Sequence, residues 1–217
     1  LFYLSLTILG LALASPATAG IMLQGFYHEP KVPAQGTWWR HLSFLAPGLR
    51  TAGVTSIWIP SPCKGASGGF SSGYDPYDLY DLGSKDQMGT VRTRFGSKEE
   101  LLAFVGISHR MGLDIYADAV VNHRGGGQQA GYAYMPKGSE GLGRLPMGPR
   151  DFHNGGQGDW HKEVGGGRDL AQEIPYVRDG LQRWIRWFDN QTGVDGYRID
   201  AAKHMDHVIM RTLRRRI

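Results

Sequence analysis

Four short segments rich in apolar residues are spread along the chain, with room for a helix between each pair. They cover residues 21–26, 54–59, 113–121 and 194–199. In the last segment, apolar and polar residues alternate around Gly196. Such alternation is typical of a strand, in which side chains two positions apart share a face. The pattern therefore predicts four β-strands.

Helical periodicity fills the intervals between these strands. The first helix takes Thr37 as its N-cap and weakens near Pro47. The second opens with a capping box at residues 97–100, the third follows Pro175, and a fourth starts near His204. The predicted inward faces of the first three helices are Trp38, Leu42, Leu45 and Leu49; Leu101, Phe104, Val105 and Ser108; and Val177, Leu181, Trp184, Ile185 and Phe188.

Strands that alternate with helices predict βαβ units and a parallel sheet of the α/β class. A doubly wound open sheet and a closed barrel fit this order equally well. After the first strand come Tyr27, His28, Glu29 and Pro30, without the glycine-rich turn that holds a phosphate. This absence disfavours a nucleotide-binding sheet. Both kinds of fold place their sites just after the strands.

Two long segments interrupt the alternation. Residues 60–89 form a loop rich in Gly, Ser and Pro, and residues 122–174 are rich in Gly without a clear periodicity. A structureless segment as long as the second is uncommon inside a compact domain unless it is functional. We therefore predict that residues 122–174 form a small inserted subdomain.

The composition is that of a globular protein. The 217 residues are 41% hydrophobic, include 32 Gly and carry a net charge of +4, enough chain for a sizeable core. Part of the basic excess is Arg211 with residues 214–216, which we interpret as a solvated helix face and not as a nucleic-acid site. Cys63 is the single cysteine, so no disulfide can form within the chain.

Residues 1–19 resemble a secretory signal. An apolar run at residues 4–14 precedes Ala17-Thr18-Ala19, which is typical of a cleavage site. The run is shorter than the ~20 apolar residues that span a membrane. We therefore predict a secreted, extracellular protein without a membrane anchor, cleaved near Ala19. A basic start to the signal is missing, so we expect that the sequence was clipped there.

Arg198 and Asp200 lie two positions apart and so share a face at the carboxyl end of the fourth strand. A guanidinium within a few ångströms favours an ionised carboxylate. A carboxylate that is held ionised and oriented can act as a nucleophile. Taken alone, the pair fits a structural ion pair equally well.

Four motifs in order resemble the alpha-amylase family of glycoside hydrolases. DAVVNH at residues 118–123 and GYRIDAAKH at residues 196–204 are similar to two signature regions of that family in order and separation. GYDPYDLYDLG at residues 73–83 resembles the family's loop after the second strand. Residues 167–170 place Asp169 in the family's calcium-ligand position. The resemblance runs from about residue 20 to the end.

The resemblance implies a partial TIM (β/α)₈ barrel that holds the first four strand–helix units. Residues 20–121 and 175–217 would form the N-terminal half of this barrel, with residues 122–174 inserted after strand three. The inner wall of the barrel would carry Ile57, Ile115 and Ile199. The family's general acid and a second catalytic Asp follow later strands, so we expect an incomplete chain that is inactive as it stands.

The resemblance also implies residue roles. Asp200 would be the nucleophile, Arg198 would hold it, and Asp118 would brace Arg198. The implied substrate-binding residues are Tyr74, His123, Lys203, His204 and Asp118. Lys203 fits a solvated side chain equally well.

A calcium site is implied as well, because Ca²⁺ takes 6–8 oxygen ligands from carboxylates, amides and carbonyls. Its ligands would be Asn122, Asp169, Asp159 and the backbone carbonyl of His204, with Asp151 as a weaker candidate. The chain lacks the Cys/His pattern of a zinc site.

The implied function is retaining hydrolysis of internal α-1,4-glucosidic bonds in starch-like polysaccharides. Its partner would be an α-glucan, with no nucleic acid and no membrane, and the full-length protein would be a monomer. Three alternatives remain open. They are a relative that forms maltooligosaccharides of fixed length, one that transfers glycosyl units, and a non-catalytic truncated member.

Overall fold

The four predicted strands form one parallel sheet in the order β1 (Met22–Gln24), β2 (Ser56–Ile59), β3 (Asp114–Ala119) and β4 (Gly196–Ile199). The computed structural model describes residues 20–28, 36–125, 144–153, 168–205 and 207–214. Each strand is shorter than predicted, because the flanking residues leave the strand ladder. The α/β class and the parallel sheet are confirmed.

The four predicted helices are also present. They are α1 (Trp38–Thr51), α2 (Lys98–Arg110), α3 (Pro175–Thr192) and α4 (His207–Arg214). The Thr37 cap and the capping box of α2 form as predicted. Helix α3 ends at Gly193, whose φ of 66° lies in the left-handed region that glycine tolerates best. None of the described helices is long and apolar enough to cross a membrane.

The inward face of α1 differs from the predicted one. Trp39 and Ala46 are fully buried, while Leu45 and Leu49 are only half-buried. The shift arises because α1 packs against α2 through Trp39, whose ring stacks on that of Phe104 with centroids 6.1 Å apart. The faces predicted for α2 and α3 are buried as expected.

The two faces of the sheet differ in character. Ile57 and Ile115 are neighbours in the register and have no exposed surface. Leu42 of α1 approaches the same spot, since a Cβ on Gly25 would meet both Leu42 and Ile57. Ile57 and Ile115 therefore face the helices, and their predicted place on an inner barrel wall is wrong.

The opposite face carries a different row of residues. Gln24, Trp58, Tyr116 and Gly196 are register partners across the four strands. A side chain at Gly196 would lie 2.6 Å from the ring of Tyr116, so this glycine makes room for that ring. The register then places Asp118 beside Arg198, which brings the two predicted motifs together.

The loop after β2 has more structure than its composition predicts. Lys64–Gly65 pairs antiparallel with Pro76–Asp78, and a 3₁₀ turn covers Gly68–Phe70 between them. We call residues 64–78 the hairpin. Several polar side chains beneath it are buried, which the Gly/Ser/Pro content does not reveal.

The described parts of the insertion pack on the same core as the sheet. His123–Arg124 pairs with Arg168–Asp169, and a 3₁₀ turn covers Pro149–Asp151. Buried residues of the insertion belong to the main apolar cluster; they are Leu145, Met147, Phe152 and Leu170. A separate subdomain stays a prediction, as does the partial barrel.

Candidate active site

A cleft of about 410 Å³ opens on the sheet face that the helices leave uncovered. Its lining residues come from the strands and from the loops that follow them; they are Gln24, Phe26, His28, Trp58, Tyr74, His123, Arg198 and Asp200. Four of these, Tyr74, His123, Arg198 and Asp200, are among the predicted site residues. The cleft lies where the carboxyl ends of parallel strands meet, as expected for this class of fold.

Arg198 links two carboxylates at this end of the sheet. Its Nη1 donates to both carboxylate oxygens of Asp118, at 3.0 and 3.1 Å, and to Oδ1 of Asp200 at 2.5 Å. The guanidinium also lies over the ring of Trp58, 4.9 Å from its centroid. These contacts fix the guanidinium on two sides, so Asp200 is oriented by a group that is itself held in place.

Asp118 lies behind this pair. Its side chain has no exposed surface, and the Tyr74 hydroxyl donates to its Oδ2 at 2.8 Å. A carboxylate so enclosed does not face the cleft. Of the two roles predicted for Asp118, the geometry therefore fits the bracing of Arg198 and not a contact with substrate.

Burial is the largest single influence on the pKa values of Asp118, Tyr74 and Arg198. It raises the pKa of Asp118 to about 6, although hydrogen bonds from Tyr74 and Arg198 and the charge of Arg198 favour the ionised form. Burial also raises the pKa of the Tyr74 phenol, and the Asp118 charge adds to that rise. Burial opposes the charge of Arg198, but Asp118 and Asp200 outweigh it and raise the pKa of the guanidinium.

Tyr74 and His123 form one wall of the cleft. The Nε2 of His123 lies 2.9 Å from the backbone carbonyl of Tyr74, and its Nδ1 is buried with no partner among the described residues. His28 packs against the Tyr74 ring, with centroids 5.4 Å apart. The rings are thus held at the cleft, but the hydrogen bond from His123 to a sugar stays a prediction.

Four lining residues were missed by the sequence reasoning: Gln24, Phe26, His28 and Trp58. Alternation places Trp58 on the face opposite Ile57 and Ile59, but the sequence does not tell which of the two faces lines the cleft. The ring of Phe26 meets that of Trp58 edge to face at 5.1 Å. The cleft therefore combines an aromatic wall with a charged end.

Lys203 and His204 do not line the cleft. Both lie in a 3₁₀ turn, Ala202–His204, which follows Ala201 in a left-handed conformation with φ of 51°. Lys203 is exposed, and His204 is half-buried. Their predicted contact with substrate stays a prediction.

The residues predicted to bind calcium are partly brought together. The side-chain oxygen and nitrogen of Asn122 are buried and lack a partner among the described residues. Asp169 lies alongside, because Leu170 N donates to the Asn122 carbonyl at 2.9 Å and Asp169 pairs with His123. A buried amide oxygen next to a buried carboxylate is a donor set that suits calcium.

Other parts of that predicted set fit less well. Asp159 lies outside the described residues. Asp151 accepts a hydrogen bond from Gly148 N at 2.8 Å and caps its own turn. His153, which the sequence did not suggest, binds Oδ2 of Asp169 at 2.8 Å. Within the described segments, no three His, Cys, Asp or Glu side chains cluster as metal ligands.

The chain is similar to curated alpha-amylases and to a maltohexaosidase over most of its length. It is 31% identical to the glucan 1,4-alpha-maltohexaosidase of Bacillus sp. (strain 707), over 89% of this chain and 47% of that protein. It is 29% identical to the cytoplasmic alpha-amylase of Escherichia coli (strain K12), over 80% of this chain and 46% of that protein. The chain thus spans about half the length of these curated relatives. No protein-family model matches it.

Solved structures share the fold. The alpha-amylase of Geobacillus thermoleovorans, solved in complex with acarbose, superposes with a TM-score of 0.63 at 24% identity. The match covers 90% of this chain and 42% of that one. At this identity the likeness supports the fold and says nothing by itself about the residues of the cleft.

Proposed function

We propose, because this chain belongs to the alpha-amylase family of glycoside hydrolases, that the protein carrying it cleaves internal α-1,4-glucosidic bonds of starch-like polysaccharides with retention. One observation supports this most. Asp200 ends β4 in the cleft and is hydrogen-bonded to Arg198, which the buried Asp118 holds from behind. A carboxylate so fixed is suited to attack a sugar carbon that sits above it.

In this proposal each group at the cleft has one task. Asp200 attacks the anomeric carbon and forms a covalent glycosyl-enzyme intermediate. Arg198 keeps the carboxylate aimed through its hydrogen bond, while Asp118 and Trp58 keep Arg198 in place. Tyr74 presents an aromatic ring on which the apolar side of a glucose ring can stack.

Retaining hydrolysis needs a second carboxyl group about 5–5.5 Å from the nucleophile to act as general acid. Among the described residues that line the cleft, Asp200 is the one carboxylate. The proposal therefore requires that the acid come from other residues of the protein. Asp118 does not suit this role, because its carboxylate is enclosed by Tyr74 and Arg198.

The test is to follow the products of the full-length protein by NMR on soluble starch. The expected first product carries its new reducing end in the α configuration, since two inversions restore the starting one. A β-1,4-glucan of the same chain length is the control and should not be cleaved. An initial β product from starch, or equal cleavage of both glucans, would contradict the proposal.

A second candidate is the release of maltooligosaccharides of fixed length. The similar Bacillus protein is named as a maltohexaosidase, which favours this reading. Both candidates use the same nucleophile and differ only in where the chain is cut. Size analysis of early products separates them, because a fixed-length enzyme gives one dominant oligosaccharide from the start.

We also propose that calcium binds at Asn122 and Asp169, with the His204 carbonyl and Asp159 as further ligands. Such an ion would tie the insertion to the ends of β3 and β4 without taking part in the bond cleavage. An ion that binds only the folded state stabilises it by ~2.7 kcal/mol at a hundredfold excess over Kd. A chelator should therefore lower the melting temperature, and added calcium should restore it. An unchanged melting curve would refute the site.

We also propose that the full-length protein is secreted and that it is a monomer. Residues 1–19, which carry the predicted signal, lie outside the described residues. Antibody detection of the protein in culture medium and in cells would test secretion, and light scattering of the purified protein would test its state.

A further inference from the structure

A lysine side chain is enclosed beneath the hairpin. Lys64 has no exposed surface, which is rare for a lysine. Oxygen atoms surround its Nζ; they are the backbone carbonyls of Thr90 at 2.6 Å, Val91 at 2.7 Å, Lys85 at 3.3 Å and Arg92 at 3.4 Å, and Oδ2 of Asp81 at 3.4 Å. This group is not part of the cleft.

Such a shell of oxygen atoms suits a cation. An ammonium has three donors and no acceptor, whereas a neutral amine would turn its lone pair toward carbonyl oxygens. Burial lowers the pKa of Lys64, but the charge and hydrogen bond of Asp81 oppose that effect. Rings of backbone carbonyls are also what proteins use to bind monovalent metal ions. Lys64 thus supplies the positive charge that a bound metal ion supplies in the carbonyl rings of other proteins.

Two buried carboxylates, those of Asp78 and Asp81, lie next to the Lys64 ammonium and are themselves hydrogen-bonded. Asp81 accepts from three successive backbone amides, of Gly83, Ser84 and Lys85. Gln87 donates to both Asp78 and Asp81 at 2.8 Å. The loop at residues 85–92 is therefore wrapped around the ammonium from one side and around two buried carboxylates from the other.

Tyr74 belongs to the structure that Lys64 anchors. Lys64 pairs with Asp78 across the hairpin, and Ala66 N donates to the carbonyl of Asp75 at 2.8 Å. Gly65 is pressed so closely that a Cβ there would lie 2.4 Å from Oδ1 of Asp75. The two strands of the hairpin are therefore closely packed between Lys64 and Asp75, and Asp75 directly follows Tyr74.

We propose that the Lys64 ammonium is a built-in cation that folds residues 85–92 around itself and thereby positions Tyr74 over Asp118. Lys64 is a positioning residue in this scheme, since it touches neither the cleft nor Asp118. Its value for catalysis rests on the proposed function. The placement of Tyr74 does not depend on that function, so it can be measured in the absence of any sugar.

The experiment places 3-fluorotyrosine at position 74 and records its ¹⁹F resonance in the full-length protein. Lys64→Ala should shift or broaden this resonance. Ammonium or potassium chloride should restore it to within the wild-type linewidth, while choline chloride at equal ionic strength should not. Lys64→Met, which keeps the length without the charge, should behave like Lys64→Ala in choline chloride.

Lys98→Ala is the matched control. Its ammonium also joins two elements through one half-buried contact, to Oε1 of Gln191 at 2.5 Å, but it lies on α2 away from the hairpin. Its ¹⁹F resonance should stay at the wild-type position in every salt. A control that shifts as much as Lys64→Ala would overturn the inference, because any lost lysine would then do the same.

Three further results would overturn it. They are a wild-type resonance in Lys64→Ala, a wild-type resonance in Lys64→Met, or a shift that small cations do not reverse. If Lys64→Ala does not fold in choline chloride, the test is its refolding yield in ammonium chloride compared with that in choline chloride. A yield at least tenfold higher supports the built-in cation, and equal failure in both salts refutes it.

Discussion

The two ends of β4 carry similar chemistry in different settings. At the amino end, Asp195 pairs with His109 at 2.9 Å, and the same carboxylate oxygen accepts Ile115 N at 2.7 Å. At the carboxyl end, Asp200 pairs with Arg198. The side chains of the first pair are 38% and 35% exposed and face open solvent, whereas the second pair lines a cleft.

The difference shows what makes an ion pair more than structural. The carboxylate of Asp195 is occupied by the backbone of β3, so it holds the sheet together. Asp200 has no such backbone partner among its described side-chain hydrogen bonds, and its partner Arg198 is fixed by Asp118 and Trp58. A nucleophilic carboxylate needs such a position, held by a fixed cation in a concave site and not tied to the backbone.

The largest effect should come from exchanging each aspartate for its amide. Asp200→Asn removes the nucleophile and should lower kcat of the full-length protein at least 10³-fold, about 4 kcal/mol of transition-state stabilisation. Asp195→Asn should leave kcat within about threefold, because it touches no residue of the cleft. Reducing-sugar assays on starch measure both. More than a tenth of wild-type turnover in Asp200→Asn would contradict the role of Asp200.

The pH dependence of stability should be the next largest effect. Burial raises the pKa of Asp118 from 3.8 to about 6, so the folded state holds more protons than the unfolded state between these values. The stabilisation from this group is complete below pH 3.8 and is lost as pH rises through about 6, by ~3 kcal/mol. Asp118→Asn should remove this slope from denaturant titrations. An identical slope in the variant would show that another group causes it.

Activity should respond to the same proton in the opposite direction. Protonated Asp118 holds Arg198 less well, so kcat/KM should fall about tenfold per pH unit below about pH 6, as for a single titrating group. Activity thus rises through the range in which stability falls.

A smaller loss should follow Arg198→Lys. Lysine keeps the charge but lacks the planar group that reaches Asp118 and Asp200 together. We expect kcat to fall about 10- to 100-fold, or about 1.4–2.8 kcal/mol. Arg183→Lys on the exposed side of α3 is the matched control and should not change kcat. Equal turnover in the two variants would show that charge alone is sufficient.

The smallest effect should be seen at the amino end. His109→Gln removes the imidazole contact with Asp195, but both side chains are more than a third exposed and solvent screens their interaction. The expected loss in the free energy of unfolding is about 0.5 kcal/mol, and kcat should not change. Denaturant titration with a parallel starch assay checks both, and a loss of activity would mean that the two ends of β4 are coupled.

Sequence reasoning recovered those features that rest on local patterns. The caps at Thr37 and Ser97 and the stripe of α3 follow from helix geometry, and the pairing of Arg198 with Asp200 follows from strand alternation. The place of Ile57 was wrong, because alternation gives two faces but not which face the helices cover. The approach of Leu42 of α1 to Ile57 supplied that answer.

Other features depend on contacts between distant segments. Tyr74 reaches Asp118 across 44 positions in the chain. Lys64 meets carbonyls up to 28 positions away, in a loop whose composition indicates only irregular structure. His153 binds Asp169 from within the insertion, where periodicity is absent. No local pattern encodes such contacts, so they appear only once the chain is folded.

The most direct test of the central claim is to trap the covalent intermediate. A fluorinated α-glucosyl donor slows breakdown of the glycosyl-enzyme, and peptide mass spectrometry then locates the sugar. We expect one added glycosyl unit on the peptide that contains Asp200, none on a peptide that contains only Asp195, and none in Asp200→Asn. A sugar on any other residue, or none while starch is still cleaved, would contradict this expectation.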